Sequence, residues 1–345
     1  LQGDWSSDVC SSDLHALCGT DSILSKSVLT MKGQGAKVYL MTGTPIPTHL
    51  ENIYGILRLV NPSAYSDKAQ FMRKHAIQQP MSLNHNGRDI TIQRIIGYKN
   101  TEEVYQKLYS NAVRVQKRDV LTELKDPLVS QIRITLAPAH KRIYKELISE
   151  QFTILGDNVL SPDNESALRH LALQLVSCPE KFGFDGKNEL ADSCDELLDS
   201  INPYNNKVII FAYYKGTIEA LKKRYEEFNP AVIYGESNDS SGEVARFCND
   251  DKCRLAIINW KSGGAGLNLQ VASHIIFYEC PTSPGDAKQA IARCDRKGQQ
   301  NVVNVYFMRV LGTLLDKNFK SLLNNESEAN RVLKDKKDLL ADFFK

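Results

Sequence analysis

The chain has 345 residues, 42% hydrophobic and 24% charged, with a formal net charge of +2. That length accommodates two compact domains, and the composition is that of an ordinary globular protein, not a disordered or collagen-like one. The charge is too small for a uniformly basic nucleic-acid binder, so any such surface has to be local; no apolar run reaches the length of a membrane span and no signal peptide is visible.

In chain order, Trp5-Ser6-Ser7-Asp8-Val9 and Cys10-Ser11-Ser12-Asp13-Leu14 form a five-residue near-repeat of low complexity. It reads as translated adapter sequence joined to a gene at about His15, or as a flexible native N-terminus, and under either reading residues 1–14 are set outside the fold. Val38-Tyr39-Leu40-Met41 is an apolar run leading to Thr42-Gly43-Thr44-Pro45-Ile46-Pro47, read as a strand and its end. Leu50, Ile53, Tyr54, Leu57 and Val60 recur at the spacing of an amphipathic helix, stopped by Asn61-Pro62. The run 128–136 reads as the last strand of the first domain. Residues 138–200 read as helical, with periodic Ile143, Leu147 and Phe152, then Leu168, Leu171 and Leu175, then Leu190, Cys194 and Leu197. Loops are expected at 156–164 and 183–186.

From Lys207 to Asp316, strand runs at 208–211, 231–234, 255–258, 274–278 and 302–308 alternate with helical patterns at 217–228, 240–249 and 284–297. That alternation predicts a parallel, doubly wound α/β sheet. The charged tail 317–345 reads as one or two terminal helices. Eight scattered cysteines without a C-x-x-C pair point to reduced thiols, not to a zinc site.

Two segments concentrate the chemistry. A helix over 284–297 would set Gln289, Arg293 and Arg296 on one face. Two guanidinium forks there would neutralise a polyphosphate in planar, bidentate geometry. In Lys261-Ser262-Gly263-Gly264-Ala265-Gly266-Leu267-Asn268-Leu269, the glycines let backbone N–H groups approach an anion closely; for Gly266 a tight strand-to-helix turn is an equal reading. These segments resemble motifs VI and V of superfamily-two helicases. Thr42-Gly43-Thr44-Pro45 resembles motif III, Lys207-Val208-Ile209-Ile210-Phe211 resembles motif IV, and Val113–Leu124 resembles the family's Arg-Arg-Thr-Lys-x-Asp-Val-Leu stretch. The ending Arg293-x-x-Arg296-x-Gly298-Gln299 is similar to the Snf/Swi branch, the ATP-driven duplex-DNA translocases.

The resemblance implies two RecA-like lobes with a helical insertion on the second, ATP and Mg²⁺ as cofactors, and double-stranded DNA as partner. It makes Arg293 and Arg296 the ATP-sensing arginines, with Arg296 as the finger toward the γ-phosphate. Gln289 would orient the nucleotide or the attacking water. Gly264, Gly266 and Asn268 complete the ATP-binding set. Thr42, Gly43 and Thr44, with Lys261, Ser262 and Gly263, would contact DNA or couple it to the nucleotide; phosphate contacts position a strand without reading its sequence. Simple strand capping is the alternative for both threonines.

ATP hydrolysis also needs a G-x-x-x-x-G-K-[ST] loop and a Walker-B acid for Mg²⁺, and neither occurs in these residues. Gly33-Gln34-Gly35-Ala36-Lys37 has the wrong spacing, and Asp195-Glu196 lacks the following x-His. His15 stands where the family's Asp-Glu-x-His box would close, or is an ordinary loop histidine. The chain therefore reads as the carboxy-terminal part of a motor, inactive alone. Its expected parts are 15–137 as the end of a first lobe lacking its amino-terminal half, 138–203 as helical protrusion and linker, 204–316 as the second lobe, and 317–345 as terminal helices.

Departures from the family pattern include Glu279 for Asp, Asp295 for His, Lys297 for an apolar residue, and Trp260 for a small Thr or Ser. Trp260 reads as a packing residue or as a stacking surface for a base. With no reader module in view, the expectation is a compact bacterial or phage translocase of the cytoplasm, or a nuclear one if the source is eukaryotic. A strand-separating helicase or restriction-system motor, and a non-catalytic DNA-binding lobe pair, are the alternatives.

Overall fold

The structure, a computed structural model, describes residues 23–33, 39–85, 88–115, 117–121, 123–156, 158–235, 239–261 and 267–333. Residues 1–14, His15, Val38, Ser262, Gly263, Gly264 and Gly266 lie outside the described residues. The chain divides into two compact units, residues 1–116 with 324–345, and residues 117–323.

The first unit contains helices α1 (Ile23–Gly33), α2 (Asn52–Val60), α3 (Lys68–His75) and α4 (Thr101–Tyr109), with a hairpin of β1 (Ala76–His85) and β2 (Arg88–Tyr98). The expected amphipathic helix is present as α2, which buries Ile53, Tyr54, Leu57 and Leu59 against Phe71, Val104 and Leu108. Asn61 ends it by donating its N–H to the Leu57 carbonyl at 2.7 Å, and Pro62 starts a separate short turn.

Two expectations fail here. Residues 39–45 form no strand, and Tyr39 and Met41 are exposed. Instead the Thr44 N–H donates to the Thr42 hydroxyl at 3.0 Å, a local turn bond that competes with any sheet ladder, and Pro45 has no N–H to offer. The hairpin, conversely, was not anticipated. Its strands pair antiparallel, Ile92 with Met81 and Ile90 with Leu83, and the sequence between them is Asn86-Gly87, the strongest short-range hairpin signal. The alternation is easy to miss because Met81, Ile90, Ile92 and Ile96 remain exposed, so it marks no buried face.

The second unit is built on a six-stranded sheet of order β3-β10-β9-β6-β8-β7. The strands are β3 (Leu128–Ile134), β6 (Val208–Ala212), β7 (Ala231–Ile233), β8 (Leu255–Asn259), β9 (His274–Phe277) and β10 (Asn304–Val310). Every pairing is parallel. β6 is buried along its whole length and β8 along all but its last residue, as strands covered on both faces must be, and they read as continuous apolar runs for that reason. Helices α9 (Lys215–Arg224), α10 (Ser240–Asn249) and α11 (Pro284–Ile291) connect strands as the alternation predicts.

β3 corrects one assignment. Expected as the last strand of the first lobe, it pairs with β10 over its whole length, from Leu128 opposite Asn304 to Ile134 opposite Val310. An edge strand gains its ladder from one partner, and nothing local in its sequence names that partner.

The helical insertion holds α6 (Pro138–Glu150), α7 (Glu165–Ser177) and α8 (Glu189–Ile201), with a small antiparallel pair β4 (Thr153–Leu155) and β5 (Asn158–Leu160) inside it. Phe152 is therefore not the third apolar position of a helix. α6 ends at Glu150, the following Gln151 has a left-handed φ of 56°, and Phe152 is exposed. The tail begins with α12 (Leu314–Leu333), longer at its start than expected. Among the described residues no helix is long and apolar enough to cross a membrane.

Candidate functional site

Parallel α/β sheets bind ligands outside the carboxyl ends of their strands. On that edge of the second unit, β6, β8 and β9 end next to one another. Tyr213 and Tyr214 follow β6, Trp260 and Lys261 follow β8, and Tyr278 and Glu279 follow β9. The three ends are laced together. The Trp260 N–H donates to the Ala212 carbonyl at 3.3 Å and the Tyr278 N–H to the Phe211 carbonyl at 3.0 Å. Asn259 Nδ2 donates to the Tyr213 carbonyl at 2.6 Å, while its Oδ1 accepts from the Lys261 N–H at 2.8 Å.

Glu279 is the buried anchor of this edge, only 3% exposed. One carboxylate oxygen accepts from the backbone N–H groups of Tyr213 at 2.5 Å and Tyr214 at 3.0 Å. The other accepts from the Thr217 hydroxyl at 2.8 Å. Burial pushes its carboxyl above the ordinary range, opposed by hydrogen bonds from Ser177, Tyr213, Tyr214 and Thr217. Tyr214 is the residue before α9 and has no side-chain cap of its own, so Glu279 provides that helix start with its acceptor.

Lys261 is exposed at the end of β8, with Nζ 5.6 Å from the Tyr213 ring centroid. Past the segment 262–266, Asn268 is exposed and its carbonyl accepts from the Cys248 thiol at 3.4 Å. The following residues are zipped to the arginine segment. The Leu269 N–H donates to the Arg293 carbonyl at 3.0 Å, Arg296 Nη1 lies 3.5 Å from the Leu267 carbonyl, and Gln299 Nε2 donates to the carbonyls of Gln270 at 3.0 Å and Ala272 at 2.9 Å. The motif V and motif VI resemblances thus meet in space, about thirty residues apart in sequence.

The helix expected to carry both arginines stops early. α11 ends at Ile291, so Gln289 sits on its last turn while Arg293 and Arg296 lie in the turns after it. Beyond Ile291 the bonds tighten, with the Arg293 N–H on the Ala290 carbonyl at 3.2 Å and the Cys294 N–H on the Ile291 carbonyl at 3.0 Å. The Arg293 carbonyl, which in a continuing α-helix would accept from Lys297, accepts from Leu269 instead. Gly298, at φ 97°, completes the reversal, a conformation open to glycine and strained for other residues. All three side chains are half-buried.

Lys117 is a neighbour of this segment that the sequence reading did not single out. It opens the short helix α5 (Lys117–Val120), and its Nζ lies 2.6 Å from Asp295 Oδ2 and also donates to the Asp295 carbonyl. The signal available was chemical. Asp295 is a half-buried carboxylate, and the ion pair with Lys117 supplies it with a cation. Thr42, Gly43 and Thr44 belong to the first unit, with both threonines half-buried and Gly43 exposed.

A parallel sheet with residues 267–272 and the arginine segment zipped together at its carboxyl edge is the architecture of a RecA-like helicase lobe. The description "SNF2-related domain" matches residues 4–179, a span that includes the near-repeat at 5–14, and "Helicase conserved C-terminal domain" matches residues 189–298. The first of these covers more than half of the chain, and the chain belongs to the SNF2-related family.

Similar proteins include human chromodomain-helicase-DNA-binding protein 1, 23% identical over 331 residues, covering 88% of this chain and 18% of that protein. Mouse DNA annealing helicase and endonuclease ZRANB3 is 24% identical over 323 residues, covering 91% and 28% respectively. Among solved structures, the Sulfolobus solfataricus SWI2/SNF2 ATPase core in complex with dsDNA is 16% identical with a TM-score of 0.44, covering 93% of this chain and 69% of that one. The chain spans less than a third of the length of these curated relatives.

Proposed function

We propose that this chain is part of an ATP-dependent DNA translocase that couples ATP hydrolysis to movement along duplex DNA. The observation that carries the reading is the zipped pair of segments, in which the residues following the glycine-rich run and the arginine motif share backbone and side-chain hydrogen bonds at the carboxyl edge of one sheet. Bound ATP would supply the phosphoanhydride bond whose cleavage drives movement. The half-buried Arg293 and Arg296 fit such a group, because each presents a planar fork to phosphate oxygens. Arg296 stabilises charge on the transferred phosphoryl group, and Gln289 orients the nucleotide or the attacking water. Gly264, Gly266 and Asn268 line the nucleotide side of the same set. Mg²⁺ would be held by Walker-type residues, which these 345 residues do not contain.

On the DNA side, Lys261, Ser262 and Gly263 hold phosphates of one strand, and Thr42, Gly43 and Thr44 contact the backbone or relay its state. Opening and closing of the lobes turns each hydrolysis into a step. The compartment follows the substrate: the cytoplasm of a bacterial or phage-infected cell, or the nucleus of a eukaryotic one.

The direct test is at Lys261. Lys261→Ala is expected to weaken binding of a labelled duplex in fluorescence anisotropy titrations. It should also reduce the slope of log affinity against log salt by about one unit, because one phosphate contact is lost. An unchanged slope with unchanged affinity would remove Lys261 from the DNA surface.

A further inference from the structure

β6 and β8 are neighbours in register, with Ala212 opposite Asn259, so Tyr213 and Trp260 leave the sheet side by side. Their rings stack, with centroids 5.0 Å apart and planes 24° from parallel. Tyr214 meets Tyr213 edge-on, at 5.0 Å and 79°, and Lys261 Nζ stands 5.6 Å from the Tyr213 ring. The pair is fixed from below. Asn259 holds the Tyr213 carbonyl, and Glu279 holds the Tyr213 and Tyr214 N–H groups.

An aromatic side chain that serves only to pack is buried, and if it carries a polar group it usually pairs that group. Trp260 does neither. Trp260 is half-exposed, as is Tyr213, and its Nε1, itself buried, has no hydrogen-bond partner among the described residues. Rigid aromatic faces beside a lysine are what sequence-tolerant single-strand binding uses. The cation tracks the backbone while successive bases stack on the rings, since every base has a π-face.

We propose that Tyr213 and Trp260 form a stacking platform for an unpaired DNA base, adjoining the phosphate contact at Lys261. The inference rests on the reading of the chain as DNA-binding. It adds a preference for strands whose bases are out of the duplex, where a base can lie flat on the ring.

The experiment compares the 345-residue chain and its variants on labelled oligothymidylate, on an abasic strand of equal length, and on a duplex, all at one salt concentration. Trp260→Ala is expected to lose roughly ten- to a hundredfold affinity for oligothymidylate, with the abasic strand and the salt slope unchanged. Trp260→Phe keeps a ring and should restore most of the loss. In a Trp5→Phe background, where Trp260 is the remaining tryptophan, oligothymidylate should quench its fluorescence and the abasic strand should not, a readout that needs no change at the platform. Equal losses on both strands, or no loss and no quenching, would overturn the platform while leaving duplex binding to stand. Quenching by adenosine monophosphate but not by oligothymidylate would reassign it to a nucleotide and also overturn it. Failure of the unaltered chain to bind any DNA would remove the DNA-binding reading and the platform together.

Discussion

Arg296→Ala is expected to lower ATP turnover by about 10³-fold or more, the scale on which arginine fingers act, in a chain that also carries a phosphate loop and Walker-B acids. The 345 residues alone should show no DNA-stimulated hydrolysis above background, which supplies the control. The size of the effect follows from position and chemistry. Arg296 lies in the turns after α11, half-buried, with its Nη1 3.5 Å from the Leu267 carbonyl of the motif V segment. A fixed donor aimed at charge that develops only in the transition state changes turnover far more than ground-state binding. Duplex affinity should change little, in contrast to Lys261→Ala. Steady-state phosphate release and duplex titration on the same variant decide the matter. Normal turnover with poor DNA binding would make the arginine a DNA contact and reverse the assignment.

Glu279→Ala should destabilise the second unit by about 3 kcal/mol in urea unfolding. The substitution leaves the N–H groups of Tyr213 and Tyr214 and the Thr217 hydroxyl without their acceptor. Each buried donor left unmade costs roughly 1–3 kcal/mol, part of which is offset by relief from burying a carboxyl group. The pH dependence has a definite sign. Burial raises the folded-state value of this carboxyl, so the folded state binds the proton more tightly than the unfolded chain does. The stability this group contributes is then full below the ordinary glutamate range and declines as pH rises through the raised value. Glu279→Gln cannot ionise and should flatten that decline. Identical pH profiles for the wild-type and Gln chains would show that the group does not titrate between the two states.

Much of the second unit was legible in the sequence, because its physics is local. β6 is buried throughout, β8 up to Asn259 and β9 after His274, so each contains an apolar run, and the helices between them carry their own periodicity. α2 was legible for the same reason, with Asn61 and Pro62 marking its end. The glycine-rich and arginine segments were also visible, as residue types whose spacing suits phosphate chemistry.

Tertiary structure decided what depends on partners distant in the chain. β3 joins β10 through a ladder between residues more than 170 positions apart, and the Lys117–Asp295 pair spans 178; neither leaves a periodic trace. α11 stops at Ile291, beyond which the Arg293 and Cys294 N–H groups turn to carbonyls three residues back and the Arg293 carbonyl accepts from Leu269, so the helical spacing that placed both arginines on one helix face does not hold. Glu279 was visible only as a departure from a pattern. Its work in holding the β6–α9 turn appears once three strand ends are brought together. Local periodicity reports which face of an element is buried, whereas the partner of a carbonyl, a carboxylate or an edge strand is settled by the packing of the whole unit.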